Sequence, residues 1–214
     1  FFNFYKTPHL LKMNLGVSYQ MNYIHLQMRS TILSRIKNDT ADSSGMEVRG
    51  MVKVTSLGCA KNFVDTEVAS ASFLCEGFGL TSSDTDADIQ FINTCAFLED
   101  ARNEAAKTIR GVRRWKEASP ETRRVEKCTG IDELKRRVIV AGCFVEWADA
   151  AELGKFPYVD AWMRIDSVAD AGKIAVKLLD GVKKIPQKKS RPSYLYTHEP
   201  PRVQLTPSHY AYIK

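Results

Sequence analysis

An α/β fold with a mostly parallel sheet is predicted for residues 46–182 by three observations. Apolar, β-branched runs alternate with stretches of helical periodicity. The alternation occurs four times in succession. In three of the four repeats the strand runs out at a cysteine. Strand–helix–strand repeats of these lengths build a layered sheet flanked by helices, and right-handed crossovers bring the strand ends that lead into helices to one edge. Open sheets of this kind bind ligands at that edge.

The first repeat is "MVKVTSLGC", a strand, followed by "NFVDTEVASASFLCEGFG", a helix. Val64, Val68, Ala71 and Cys75 form its apolar stripe. Asn62 is read as the N-cap, with Asp65 three residues on, and Gly77 and Gly79 as the stop. "ADIQFINTC" is the second strand. Its helix, "AFLEDARNEAAKTIRGVRRWKE", has a stripe of Leu98, Ala101, Ala105, Ile109 and Val112. Glu99 and Asp100 open that helix and Arg110, Arg113 and Arg114 lie near its close, an order that suits the helix dipole. The third repeat is "RRVIVAGC" then "FVEWADAAELGKF". The fourth, "YVDAWMRID" then "SVADAGKIAVKLLDG", has no cysteine at the turn.

Outside this unit the composition changes. Residues 1–45 carry five basic and two acidic side chains, so +3 of the chain's +6 net charge, without sustained periodicity. They are read as an extension outside the domain, with an organellar targeting segment as the competing reading. Residues 183–214 are read as an extended linker. The stretch after Gly181 holds five prolines and a basic cluster of Lys183, Lys184, Lys188, Lys189 and Arg191. A solvated linker is preferred there to an RNA or ribosome contact, and direct nucleic-acid contact is left open. No run approaches the ~18 apolar residues of a membrane span.

The five cysteines, 59, 75, 95, 128 and 143, are too sparse for a secreted disulfide framework and point to a reducing compartment. Cys75, on a helix stripe, is assigned to packing, and Cys128 is taken as incidental. Cys59, Cys95 and Cys143 each end a strand, each follows a small or short polar residue (Gly58, Thr94, Gly142), and each precedes a helix. Adjacent strands lie roughly 5 Å apart, so three such thiols fall within reach of one metal group. Zinc with an open fourth position and an iron–sulfur cluster both suit three thiolates, and spacing does not separate them. A nucleophilic triad has no support, because His9, His25, His198 and His209 all lie outside the predicted core. Asn62 and Asn93 are candidate donors to cluster sulfurs, with capping or turn formation as the stronger reading. Lys61 is a candidate electrostatic partner or simply an exposed lysine.

"SLGCAKNFVDTE", "FINTCAFLEDA" and "VIVAGC" together resemble the N-terminal domain of the radical-SAM methylthiotransferases, over about residues 51–214. "SLGCAKN" is similar to the branch that modifies a ribosomal protein. The tRNA-modifying branch has a Tyr-Gly-Cys-Gln-Met-Asn type of motif there. "LTPSHYAYIK" resembles the segment leading into the radical-SAM barrel. The resemblance implies that Cys59, Cys95 and Cys143 hold an auxiliary [4Fe–4S] cluster with one open iron, the carrier of the transferred sulfur. It implies a second [4Fe–4S] cluster and S-adenosylmethionine in a further domain, and methylthiolation of the β-carbon of an aspartate on a small-subunit ribosomal protein in the cytoplasm. The sequence contains no Cys-x3-Cys-x2-Cys, so this chain alone is expected to be inactive. A tRNA adenosine methylthiotransferase domain and a non-catalytic α/β metal-binding module are the alternatives.

Overall fold

The computed structural model describes residues 48–118, 136–184, 200–206, 210 and 212. The readings of residues 1–45 and of Cys128 fall outside these. Five strands, β1 (Met51–Ser56), β2 (Gly79–Thr81), β3 (Ile89–Thr94), β4 (Arg137–Gly142) and β5 (Ala161–Met163), form one sheet in the order β2-β1-β3-β4-β5. Every pairing is parallel, so the predicted α/β class is borne out. Three of the five strands are the cysteine-terminated runs of the sequence. β2, a three-residue edge strand, was not expected; its Gly-Leu-Thr is too short to show alternation.

The central strands β3 and β4 are buried on both faces, and successive residues feed two separate cores. Ile139 and Ala141 of β4 pack with Val52, Phe91 and Met163 on one face. Val138 and Val140 pack with Ile92 on the other. Helix α1 (Ala60–Cys75) covers the first face through Val68 and Phe73, alongside α5 (Ala171–Leu179), which contributes Ala175 and Leu178. Helix α2 (Glu99–Glu117) covers the second through Ala105, Ile109 and Val112. Leu98 is exposed rather than part of that stripe: it is the N-cap of α2, where the chain is still extended.

Other helix readings need correction. Cys59, not Asn62, is the N-cap of α1. Cys75, the last residue of α1, is exposed instead of packed. The third helix is broken into α3 (Cys143–Trp147) and α4 (Ala150–Gly154), with Asp149 capping the second through Glu152 N–H at 2.7 Å. The fourth opens as a 3-10 segment, Ile165–Asp170, before α5 begins. No helix among the described residues is long and apolar enough to cross a membrane.

A polar tie closes the far side of the sheet. Buried Asp160 accepts from Val138 N–H at 2.7 Å and from Lys116, which also donates to Tyr158 O. Burial pulls the Lys116 ammonium below its ordinary pKa, and Asp160 opposes that shift. Asp160→Asn is therefore expected to lower the Lys116 pKa further, readable by NMR titration of Lys116. It should cost roughly 2 kcal/mol, because the half-buried ammonium loses its buried counter-charge. The sign of the pH effect follows: with a native pKa below the unfolded one, Lys116 destabilises the charged native state, and that penalty lifts as pH rises through the window below 10.5.

Candidate metal centre

The sheet order reverses direction between β1 and β3, and the carboxyl ends of strands flanking such a point form a crevice. β1, β3 and β4 are neighbours, and the turns that follow them carry Cys59, Cys95 and Cys143. Ser56 pairs with Asn93, and Asn93 with Ala141; one step on, Thr94 pairs with Gly142. The ladder continues past β1 with Leu57 N–H donating to Asn93 O at 2.9 Å. That register sets Gly58 beside Cys95, so Cys59 lies one residue farther out. The three slots are thus not identical. Cys59 caps α1, Cys143 is the first residue of α3, and Cys95 is followed by an irregular loop before α2. Cys95 is buried, Cys143 half-buried and Cys59 exposed.

Asn62 holds the three turns together. Its side chain is buried, and Nδ2 donates to Leu57 O at 3.1 Å and to Thr94 O at 2.8 Å. Its Oδ1 accepts from Cys143 Sγ at 3.7 Å. One amide thus touches the chain before Cys59, the chain before Cys95, and Cys143 itself. A second buried amide lies beneath it: Asn93 Nδ2 donates to Asn62 O at 2.7 Å and to Thr66 Oγ1 at 3.0 Å. Thr66 Oγ1 in turn lies 2.8 Å from Ser56 Oγ. Both N–H groups of each amide are taken by protein acceptors, so neither Asn62 nor Asn93 donates to a sulfur. They position the turns.

Two glycines make the close approach possible. Gly58 has φ +89°, and a Cβ there would collide with Cys95 Cβ and stand 2.8 Å from its Sγ. Gly142 has φ +100°, and a Cβ there would run into Asn93 Oδ1 and Thr94 O. Both conformations belong to the left-handed region that favours glycine.

The rim is apolar and exposed. Phe97 and Leu98, just past Cys95, are 87% and 61% exposed, and Trp147, at the end of α3, is 51% exposed. Arg102 links the two sides by donating to Ala96 O at 3.3 Å while its guanidinium lies over the Trp147 ring, 5.0 Å from the centroid. Lys61 is exposed. The sequence reading missed Arg102 and the aromatic rim, since nothing in the local pattern distinguishes a helix-surface arginine that folds back on a neighbouring helix.

The donor set suits a soft metal group: three thiols on adjacent turns, with all four histidines outside the described residues. Among the described residues no three His, Cys, Asp or Glu side chains are close enough to hold a metal ion. The turns are gathered, then, without their sulfurs closing on a single ion.

Residues 51–164 match the family described as Uncharacterized protein family UPF0004. The chain belongs to this family. It is 35% identical over 163 residues to the ribosomal protein uS12 methylthiotransferase RimO of Heliobacterium modesticaldum, covering 76% of this chain and 32% of that protein. The RimO of Caldicellulosiruptor saccharolyticus is 34% identical over 166 residues, covering 77% and 34%. That of Desulfosudis oleivorans is 39% identical over 109 residues, covering 51% and 22%. The chain thus spans about a third of the length of the first two relatives. Among solved structures, the methanol:cobalamin methyltransferase complex MtaBC of Methanosarcina barkeri matches at a TM-score of 0.39 and 12% identity, over 71% of this chain and 54% of that one. Within the UPF0004 match lie all three cysteine turns, with Asn62 and both glycines.

Proposed function

We propose that this UPF0004 chain supplies the auxiliary-cluster domain of a methylthiotransferase that modifies a ribosomal protein in the cytoplasm. Cys59, Cys95 and Cys143 would hold a [4Fe–4S] cluster, and a cluster with three protein ligands supplies an iron open to an exogenous sulfur species. The observation that carries the reading is the gathering of three cysteine turns at the switch point of a parallel sheet, all engaged by one buried amide. The similarity to RimO proteins supports a ribosomal-protein aspartate over a tRNA adenosine as the target.

The chain's own residues have definite parts in this. Asn62 and Asn93 hold the turns in register, and their amides are committed to main-chain and hydroxyl acceptors. Buried Cys95 and half-buried Cys143 would form the protein side of the group, and exposed Cys59 the solvent side. The exposed apolar rim of Phe97, Leu98 and Trp147 would border the group on its open side. Cleavage of S-adenosylmethionine would call for a second cluster, and the Cys-x3-Cys-x2-Cys that would hold it does not occur in this sequence.

The test is iron and acid-labile sulfide per chain after anaerobic reconstitution, in the parent and in a variant with Cys59→Ala, Cys95→Ala and Cys143→Ala together. About four of each in the parent and almost none in the variant is the expected result. Zinc in place of iron, or equal iron in both proteins, would defeat the assignment.

A further inference from the structure

Glu67 is fully buried in the middle of α1, an unusual place for a carboxylate, and it is surrounded by partners from far along the chain. Arg202 Nε donates to Glu67 Oε2 at 2.5 Å, and Arg202 Nη2 makes an ion pair with the same oxygen. Leu205 N–H donates to Oε1 at 2.7 Å and Thr206 N–H at 3.4 Å. Val203 N–H reaches the Glu67 main-chain carbonyl at 3.3 Å, and the Val203 side chain is buried. A charged carboxylate is kept in such a place only when it is paired and hydrogen-bonded. Residues 200–206 supply all of this, so they lie across α1 as a strap.

The strap follows one face of the helix. Residues four apart lie one above the other on an α-helix, so Cys59, Phe63 and Glu67 form a single line. The strap and Tyr212 each meet that line. Arg202, Leu205 and Thr206 close on Glu67, and Tyr212 packs edge-on against Phe63 at 6.0 Å. Arg202 joins the two contacts by donating to Tyr212 O at 2.8 Å. The next position up the line is Cys59, the N-cap of α1. Three residues on from Cys59, on the adjoining face of the same turn, lies Asn62, which engages the other two cysteine turns.

We propose that Glu67 is a positioning residue: by clamping the 200–206 strap along α1 through Arg202, it fixes the N-terminal turn of that helix and with it the Cys59 ligand position. The proposal rests on the cysteine-site reading only for what Cys59 binds; the clamp itself is independent of it.

The test is hydrogen exchange on the full chain, followed by mass spectrometry, for the parent, Arg202→Gln, Arg202→Lys and the double variant Glu67→Gln/Arg202→Gln. Arg202 is on the strap and outside the sheet, so its loss leaves the core strands folded. In Arg202→Gln, exchange at Val203, Leu205 and Thr206 should rise about tenfold or more, as both charged contacts of Arg202 with Glu67 are lost. Exchange at Phe63, Val64 and Asp65, the first amides of α1 placed to donate within the helix, Phe63 to Cys59 O at 3.1 Å, should rise with it, while β3 and β4 amides stay unchanged. Arg202→Lys should restore part of the protection at both places. The double variant should be better protected than Arg202→Gln, because no unpaired carboxylate remains. A strap that loosens while Phe63, Val64 and Asp65 stay as in the parent would reduce Glu67 to a purely structural anchor and overturn the proposal. A strap that does not loosen would overturn the clamp as well. If the parent shows the expected exchange but takes up no iron, the clamp stands and the cluster reading falls.

Discussion

Asn62→Leu should unfasten all three cysteine turns in one substitution. Leucine is of similar size and keeps the position filled, so the loss is chemical and not a cavity. Leu57 O and Thr94 O, which accept from Asn62 at 3.1 and 2.8 Å, are left without that donor. A buried acceptor stripped of its partner costs about 1–3 kcal/mol, so the pair comes to about 3 kcal/mol. For a chain of this size that is a fall of roughly 6–12 °C in thermal midpoint. Iron uptake should fall further than stability does, because the Cys143 Sγ contact disappears as well. Asn62→Asp sharpens the test. It keeps the shape and replaces both N–H donors with a carboxylate oxygen facing two carbonyls, so it should be at least as damaging. Thermal unfolding by circular dichroism, with iron per chain measured in parallel, decides the matter. A leucine variant with the parent's midpoint and iron content would show that the turns hold themselves in place.

Gly58→Ala is the second large effect. At φ +89° an alanine is strained by about 1–2 kcal/mol, and its Cβ overlaps Cys95. Relieving the overlap adds about 1–3 kcal/mol, for a total of about 3 kcal/mol. The atoms that must give way are Cys95 Cβ and Sγ, so the substitution displaces a proposed ligand directly. Gly142→Ala is the matched comparison. It has the same kind of strain, at φ +100°, but meets Asn93 Oδ1 and the Thr94 main chain. Main chain yields less readily than a side chain, so Gly142→Ala should lose more stability. Gly58→Ala should lose more iron for each degree of midpoint lost. Equal iron binding by Gly58→Ala and the parent would remove Cys95 from the site.

Much of the fold was legible because parallel strands buried on both faces must read as apolar runs. "IQFINT" and "RVIVAG" are such strands, and "MVKVTS", only partly buried, was still legible from its Met51, Val52 and Val54. Helices were legible where one face alone is buried: Ala105, Ile109 and Val112 marked α2. Helix α1 was harder to read because it is buried nearly all round. Its polar Asn62, Asp65, Thr66 and Glu67 are interior along with the apolar stripe, and nothing in the local pattern marks them so. The third helix misled because its composition is helical, while Asp149 caps a new helix inside it.

The cysteines were visible as a set because the strand–helix repeat puts each of them in a comparable place. Their unequal exposure was not visible, since it depends on a one-residue offset in sheet register. Nor were the roles of the asparagines: a buried amide is identified by the carbonyls it meets, and these come from turns up to 32 residues away.

By itself, then, the sequence determined the alternation of strand and helix, the parallel class and the three cysteine turns, because these follow from local periodicity and from residue type at element ends. The tertiary structure alone decided which side chains hold those turns together and what lies over Glu67. Asn62 meets Thr94 and Cys143, and Glu67 meets Arg202 across 135 residues. Such contacts carry no local signal, since a buried polar group is satisfied by whatever the fold brings to it.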